Sequence, residues 1–223
     1  MSERLRFPDR ESRDDALTFA SRAARLADPT VRLRASAGVL AMTAAALVPR
    51  DLVDPTPTVL ALRTLAVDPE LECDLIVEAS LLTAAADEDA IVLPDAATRA
   101  AWAGVSPPRG GWVAAGELDA SALAARAHDG MARVASALPP GAGEEVVHRV
   151  RAGVWGESVP EWHDLPLGIA FAAVALGFIS GTEHARVFTA GAWTRVSLSR
   201  GHLLVRGPAA MGLTAVRSTG RAG

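Results

Sequence analysis

"LPLGIAFAAVALGFIS", residues 165–180, is an apolar run that predicts the centre of the fold. A membrane-spanning helix needs about 20 apolar residues, and this run is shorter, contains Pro166 and has no basic cluster beside it. Asp164 is suited to cap the start of a helix, and Gly181 is suited to the position after its end. Because a helix that is apolar on all sides is typical of a protein core, we predict a central buried helix over 165–180. A membrane or interface segment is the alternative.

The residues after this run alternate in the manner of strands. "RVFTAGAWTRVSLSRGHLLVRGP" predicts a three-stranded β-meander over 186–207, with turns at Gly191-Ala192 and at Arg200-Gly201. The second turn would place Arg195 directly opposite Arg206. Earlier in the chain, two alternating segments flank a turn-forming "DPEL" and predict an antiparallel hairpin over 58–82, apolar on one face and charged on the other.

Helical spacing of apolar residues predicts about six helices, so the fold class is α+β. The predicted helices are 11–27, the stretch between Pro29 and Pro49, 95–103, the stretch between Asp119 and Pro139, 143–155, and 165–180. We expect a single domain over 1–215 and a disordered tail over 216–223. A boundary near 138–143 is the alternative.

The composition excludes several chemistries. All 22 basic side chains of the 223 residues are Arg, no Tyr is present and Cys73 is the single cysteine. Without Lys the chain can form no Schiff base and has no Walker A lysine, and one cysteine cannot build a four-cysteine zinc or iron–sulfur site. We predict no cofactor. The bias towards Arg and Ala is typical of a GC-rich bacterial genome, and the charged start of the chain favours a cytoplasmic location.

The histidine pairs do not complete a known metal or catalytic pattern. His128-Asp129 lacks an upstream histidine, and His163-Asp164 lacks a downstream aspartate, so both fail the His-Asp phosphohydrolase pattern. No G-x-S-x-G or G-x-G-x-x-G motif is present. The sequence therefore predicts no metal site and favours a protein that is not an enzyme.

An asymmetry of charge provides the most specific functional prediction. Residues 185–223 hold six Arg and no carboxylate, whereas 64–98 hold nine carboxylates and no Arg. The meander would gather a candidate anion-binding set on one face: Arg186, Arg195, Arg206, Trp193 and His202. Facing arginines repel, so they need neutralisation. Either the acidic segment supplies it, within the fold or across a dimer, or an external anion does, such as a phosphate, a nucleotide, a nucleic acid or an acidic partner segment.

The loop "GVSPPRGGW", residues 104–112, is a second candidate. Its Pro-Pro pair could present Arg109 and Trp112 to a partner, because Arg and Trp are frequent binding anchors. The alternative is that Trp112 enters the core and that Arg109 is solvated.

Three classes of function remain. The first is a non-catalytic cytoplasmic interaction or regulatory protein, with a protein partner or a second copy of itself and no membrane. The second is a protein that binds an anionic ligand or nucleic acid through the Arg-rich meander. The third is an enzyme whose Asp, Glu, His and Arg side chains come from distant positions.

Overall fold

The computed structural model describes residues 4–51 and 53–207. The strands in chain order are β1 Arg4–Arg6, β2 Thr30–Ser36, β3 Val39–Leu47, β4 Thr58–Ala66, β5 Cys73–Glu78, β6 Thr83–Ala84, β7 Ala90–Val92, β8 Val113–Asp119, β9 Ser158–Val159, β10 Leu165–Pro166, β11 His184–Ala190, β12 Trp193–Leu198 and β13 Gly201–Arg206. The helices are α1 Arg10–Ala23, α2 Ala120–Ala137, α3 Glu144–Trp155 and α4 Gly168–Ala175. Short 3-10 turns occupy Ala79–Leu81, Ala101–Gly104 and Pro160–Trp162.

An eight-stranded antiparallel sheet dominates the fold. Its strand order is β5-β2-β3-β4-β13-β12-β11-β8. A three-stranded sheet, β1-β7-β6, and a two-stranded ribbon, β10-β9, accompany it. The predicted fold class was therefore wrong, because the described residues contain four α-helices rather than about six and the sheet dominates them.

The largest error concerns the stretch between Pro29 and Pro49, which forms the β2–β3 hairpin instead of a helix. Its turn is Ala37-Gly38, and both residues have positive φ, 50° and 78°. A two-residue turn of this kind matches the twist of the flanking strands. The predicted helix over 95–103 is also absent, and a 3-10 turn at Ala101–Gly104 stands at its end.

The predicted hairpin over 58–82 was wrong in its pairing. β4 pairs with β3 and β13, whereas β5 pairs with β2. The β2–β3 hairpin lies between them, so two strands that are close in sequence lie three places apart in the sheet.

The predicted central helix over 165–180 is shorter than expected. Leu165–Pro166 pairs as β10 with β9, and α4 covers only Gly168–Ala175. Asp164 does not cap it, because Asp164 has a φ of 60° and accepts a hydrogen bond from Ser158 Oγ at 3.1 Å. Leu167 stands at the cap position without a side-chain cap. The helix is nevertheless buried, as its Ile169, Ala172 and Ala173 have no exposed surface.

The C-terminal meander forms from β11, β12 and β13, with a register two residues away from the predicted one. Arg195 lies opposite Leu204 rather than Arg206. The second turn falls on Ser199-Arg200, because Gly201 is already paired with Leu198. Phe178 packs against this position: a Cβ at 201 would lie 2.6 Å from its ring, so only glycine fits there. A shift of two residues keeps each side chain on its predicted face.

The core lies between α1, α4 and one face of the large sheet. Val31, Leu33, Val59 and Leu203 point to that side and are fully buried. α2 packs on α4, and α3 packs on both. The opposite side of the sheet, which we call the open face, carries the other set of alternating side chains.

The pairing of β4 with β13 joins a strand from the first third of the chain to the last described strand in one sheet. This pairing supports a single domain, which stays a proposal. The predicted tail over 216–223 lies outside the described residues. No helix in the described part of the chain is long and apolar enough to cross a membrane.

Candidate functional site

The open face combines arginines with large apolar side chains. Alternation along the paired strands directs the following residues to it: Arg32, Arg34, Thr43, Leu60, Leu62, Arg186, Phe188, Trp193, Arg195, His202, Leu204 and Arg206. The segment 100–112 crosses part of this face, and its Trp102 packs with Leu60, Trp193 and Leu204. The open face is therefore partly covered in its middle.

Arg195 occupies the most unusual position on this face. Its guanidinium carbon lies 4.7 Å from the ring centroid of Trp112 and 4.7 Å from that of Phe188. Such contacts attract the cation electrostatically but supply no hydrogen-bond acceptor. The Nε of Arg195 is buried and has no hydrogen-bond partner among the described residues. Burial, and then the charge of Arg186, lowers the pKa of Arg195 below its ordinary value.

Among the described residues, Arg186 and Arg206 of the meander also form no ion pair. Arg186 lies over the ring of Phe188 at 5.7 Å and faces Ser197 and Glu117 across the neighbouring strands. Arg206 faces Trp193. In the described ranges, neither Arg186, Arg195 nor Arg206 forms an ion pair.

The carboxylates of the acidic segment 64–98 that form ion pairs have partners outside the meander. Asp87 pairs with Arg4 and Arg6 at 2.8 and 2.9 Å, and Asp74 pairs with Arg32 at 2.7 Å. In the described residues, the ion pairs that this segment forms are thus with arginines of β1 and β2 and not with those of the meander.

His202 lies beside Arg195 on the open face. Its Nδ1 is 3.0 Å from Ser197 Oγ. Burial, followed by the positive charges of Arg195, Arg63 and Arg186, lowers the pKa of His202 below its ordinary value. The imidazole is consequently neutral at pH 7, and the positive charge around it comes from the arginines.

Of the predicted anion-binding set, Arg195 alone lines the groove that also holds both predicted loop residues, whereas Arg186, Arg206, Trp193 and His202 do not line it. The segment 100–112 and the open face enclose a cleft of 460 Å³, which we call the Arg195 groove. Arg109, Trp112 and Arg195 line it together, with Leu62 among its apolar walls. Trp193 does not line this groove; it is 6% exposed and packs with Trp102. Arg206 and Trp193 border a neighbouring cleft of 390 Å³ instead.

Sequence reasoning missed three residues of this region. Arg32 and Arg34 line the Arg195 groove, and Trp102 separates it from the neighbouring cleft. The two arginines were assigned to a helix, although the alternating "VRLRA" at 31–35 carried the signal of a strand. Nothing in the sequence around Trp102 indicated that the chain folds over the sheet there.

No cluster of three or more His, Cys, Asp or Glu side chains that could hold a metal ion occurs in the part of the chain that the structure describes. What the groove offers is guanidinium groups beside aliphatic and aromatic surface. That arrangement suits binding of a carboxylate or phosphate attached to an apolar group.

Two family models match the chain. The first is a domain of unknown function, DUF8010, over residues 1–104, and the second is a domain of unknown function, DUF8185, over residues 107–210. Each covers less than half of the chain. No curated protein matches.

Solved structures of sliding clamps are similar to this chain. They include the DNA polymerase sliding clamp from Caulobacter crescentus (13% identity, TM-score 0.47, 99% of this chain and 69% of that one). They also include a DnaN sliding clamp from Bartonella birtlesii bound to griselimycin, with 12% identity and a TM-score of 0.48 over 94% of this chain and 66% of that one. A third is a putative DNA polymerase III beta subunit from Eubacterium rectale, with 9% identity and a TM-score of 0.47 over 92% of this chain and 64% of that one. The chain thus spans about two thirds of the length of these clamps. At these identities and TM-scores, the likeness transfers no function.

Proposed function

We propose that this chain is a non-catalytic binding protein whose Arg195 groove takes up an acidic, apolar segment of a partner protein. The observation that carries the proposal is Arg195 itself. It is a partly buried cation, held between two rings, with no carboxylate to neutralise it in the described residues. A desolvated charge without a partner is unfavourable, so the site gains stability when an anion arrives.

The shape of the contact favours a carboxylate. Trp112 and Phe188 contact Arg195 through their rings, which accept no ordinary hydrogen bond, so the terminal N–H groups of the guanidinium still need an acceptor. Planar carboxylates accept two such bonds side by side. The same contacts argue against stacking of nucleic-acid bases, because Arg195 lies against both rings and Trp193 is buried.

The rest of the groove favours a peptide over a small ion. Leu62, Val39 and Trp112 provide apolar surface along it, and Arg109 adds a second cation without an ion pair among the described residues. Arg32 contributes less charge, since Asp74 already neutralises it. An extended segment that alternates carboxylates with apolar side chains would satisfy both kinds of surface.

Binding of labelled model peptides tests the proposal. The probes are a fluorescein-labelled peptide that alternates Glu and Leu, its counterpart with Gln in place of Glu, and a labelled single-stranded DNA oligonucleotide. We expect the Glu peptide to bind in fluorescence polarisation, the Gln peptide to bind much more weakly, and Arg195→Ala to weaken Glu-peptide binding about tenfold or more. Arg25→Ala is the matched control, because Arg25 is exposed and follows α1 on the other side of the sheet.

Several outcomes would contradict the proposal. They are failure of the Glu peptide to bind, equal binding by wild type and Arg195→Ala, and tighter binding of the oligonucleotide than of the Glu peptide. A second copy of the chain as the occupant would appear in sedimentation as an Arg195-dependent dimer, and it would replace the partner protein in the proposal.

A further inference from the structure

A second arginine without an ion pair in the described residues lies on a helix, outside the meander. Arg151 is on α3, and its guanidinium carbon lies 5.4 Å from the ring centroid of Phe171 on α4. Arg151 is half-buried, and burial lowers its pKa below the ordinary value. Within the described residues its guanidinium has neither a hydrogen bond nor a carboxylate within ion-pair distance, so the ring of Phe171 is its principal contact.

Arg151 borders a cleft of 490 Å³ between α3 and the end of β3. The cleft is lined mainly by apolar groups, among them Leu47, Val48 and Val147. Its size is in the range of sites that bind small organic molecules. An arginine without a partner at the edge of an apolar cleft is an arrangement that a small amphipathic anion satisfies.

The carboxylates that line the cleft are already engaged. Asp28 accepts hydrogen bonds from the backbone N–H and the hydroxyl of Thr30, at 3.1 and 2.5 Å. Glu144 lies 3.7 Å from Arg50, which also pairs with Glu145. Neither side chain therefore neutralises Arg151.

We infer that this cleft is a binding site for a small organic carboxylate with an aliphatic or aromatic body. The lining selects the class: Arg151 forms no ion pair among the described residues and a single carboxylate would supply one, whereas a phosphate dianion would bring more negative charge beside Glu144 and Asp28. His148 adds a polar group at the cleft, with its Nε2 3.7 Å from Asp54. The site is separate from the Arg195 groove and does not depend on the function proposed for it.

The test uses hexanoate as the probe, with hexanamide as its uncharged isostere and inorganic phosphate as an anion without an apolar body. We expect wild-type protein to bind hexanoate in calorimetry, and to bind hexanamide and phosphate at least about tenfold more weakly. In amide NMR spectra, hexanoate is expected to shift the signals of residues 147–152.

Arg151→Gln is expected to weaken hexanoate binding about tenfold or more, because it removes the charge. Arg149→Gln is the matched control on the same helix, since Arg149 is 75% exposed and pairs only with Glu145. Val147→Phe fills the cleft without a change of charge and is expected to block binding as well. Far-UV circular dichroism verifies that each variant is folded.

The inference is overturned if wild type does not bind hexanoate, if hexanamide binds equally well, or if folded Arg151→Gln and Val147→Phe both bind hexanoate as wild type does. Arg195→Ala is expected to retain hexanoate binding. If Arg195→Ala loses peptide binding but still binds hexanoate, the two sites are separate. Failure of one proposal is then distinguishable from failure of the other.

Discussion

Arg195 and His202 lie on a diagonal across two neighbouring strands, and the charge of the first affects the protonation of the second. Both are on the open face, and neither is neutralised by a carboxylate in the described residues. Arg186 and Arg195 concentrate positive charge where they are partly removed from water, and this lowers the free energy of unfolding. At the scale of single residues, this part of the molecule is therefore arranged for binding at some cost to stability.

The lowered pKa of His202 has a consequence for stability against pH. Since the folded-state pKa lies below the ordinary value of 6.5, the unfolded state binds the proton more readily, and the contribution of His202 to stability is lost as pH falls from about 6.5 towards the folded-state pKa. We expect His202→Gln to show a smaller decrease in the free energy of unfolding between about pH 7.5 and about pH 5.5 than wild type. Urea unfolding at both pH values measures this, and His128→Gln, an exposed histidine on α2, is the control. An equal decrease in wild type and His202→Gln would contradict the assignment.

Two glycines within helices have opposite surroundings. Gly130 on α2 lies against Trp155, and a Cβ there would be 2.3 Å from the ring. Gly153 on α3 has nothing within 4 Å of such a Cβ. The first glycine is required by the approach of two helices, whereas the second is not.

These surroundings predict stability changes of opposite sign. Gly153→Ala is expected to stabilise the protein by about 0.5–1 kcal/mol, because alanine loses less backbone entropy in a helix. Gly130→Ala is expected to destabilise it by about 1–3 kcal/mol, because Trp155 must move. Urea unfolding of the two variants measures the difference. A stabilising Gly130→Ala would show that α2 and α3 are not packed through Trp155 as described.

At the scale of elements, the sequence predicted some features well and others poorly. The meander and the charged, alternating faces of its strands were apparent because alternation is a local signal. β3, "VLAMTAAAL", was assigned to a helix because Leu40, Ala44 and Leu47 recur at helical spacing. The residues form a strand that pairs on both sides, and Ala44 is fully buried on the face that α1 and α4 cover, where a small side chain fits. Packing between elements that are distant in the sequence determines the structure of β3, and no local sequence pattern indicates this packing.

The candidate site shows the same limit. Arg195 was identified from its neighbours in the chain, and Arg109 and Trp112 from their loop. Their meeting in one groove depends on the path of 100–112 across the sheet, which the sequence does not reveal. Arg151 was not considered at all, since its lack of a partner is a property of three-dimensional contacts.

At the scale of the whole molecule, the two matched families meet between residues 104 and 107, yet the sheet crosses that boundary. β4 belongs to the first part and is paired with β13 of the second. Each part alone would expose a central strand edge and half of the core. A single cooperative unit is what this pairing supports.

Expression of the two parts tests that proposal. We expect residues 1–104 and residues 107–223, produced separately, to lack cooperative unfolding, because β4 and β13 each lose a partner. The full chain is expected to unfold in one transition, with the same midpoint by tryptophan fluorescence and by far-UV circular dichroism. A well-dispersed amide NMR spectrum from residues 1–104 alone would instead establish two domains.

The place of β13 in the sheet also bears on how the protein is made. β13 is the last described strand in the chain, yet it lies between β4 and β12. Leu62 meets His202 only after 140 further residues have been synthesised (202 − 62). Pairing over such a separation is slow, and until it happens β4 presents a bare edge to other nascent chains. We therefore expect the pairing of β4 with β13, in the middle of the sheet, to be a late step of folding.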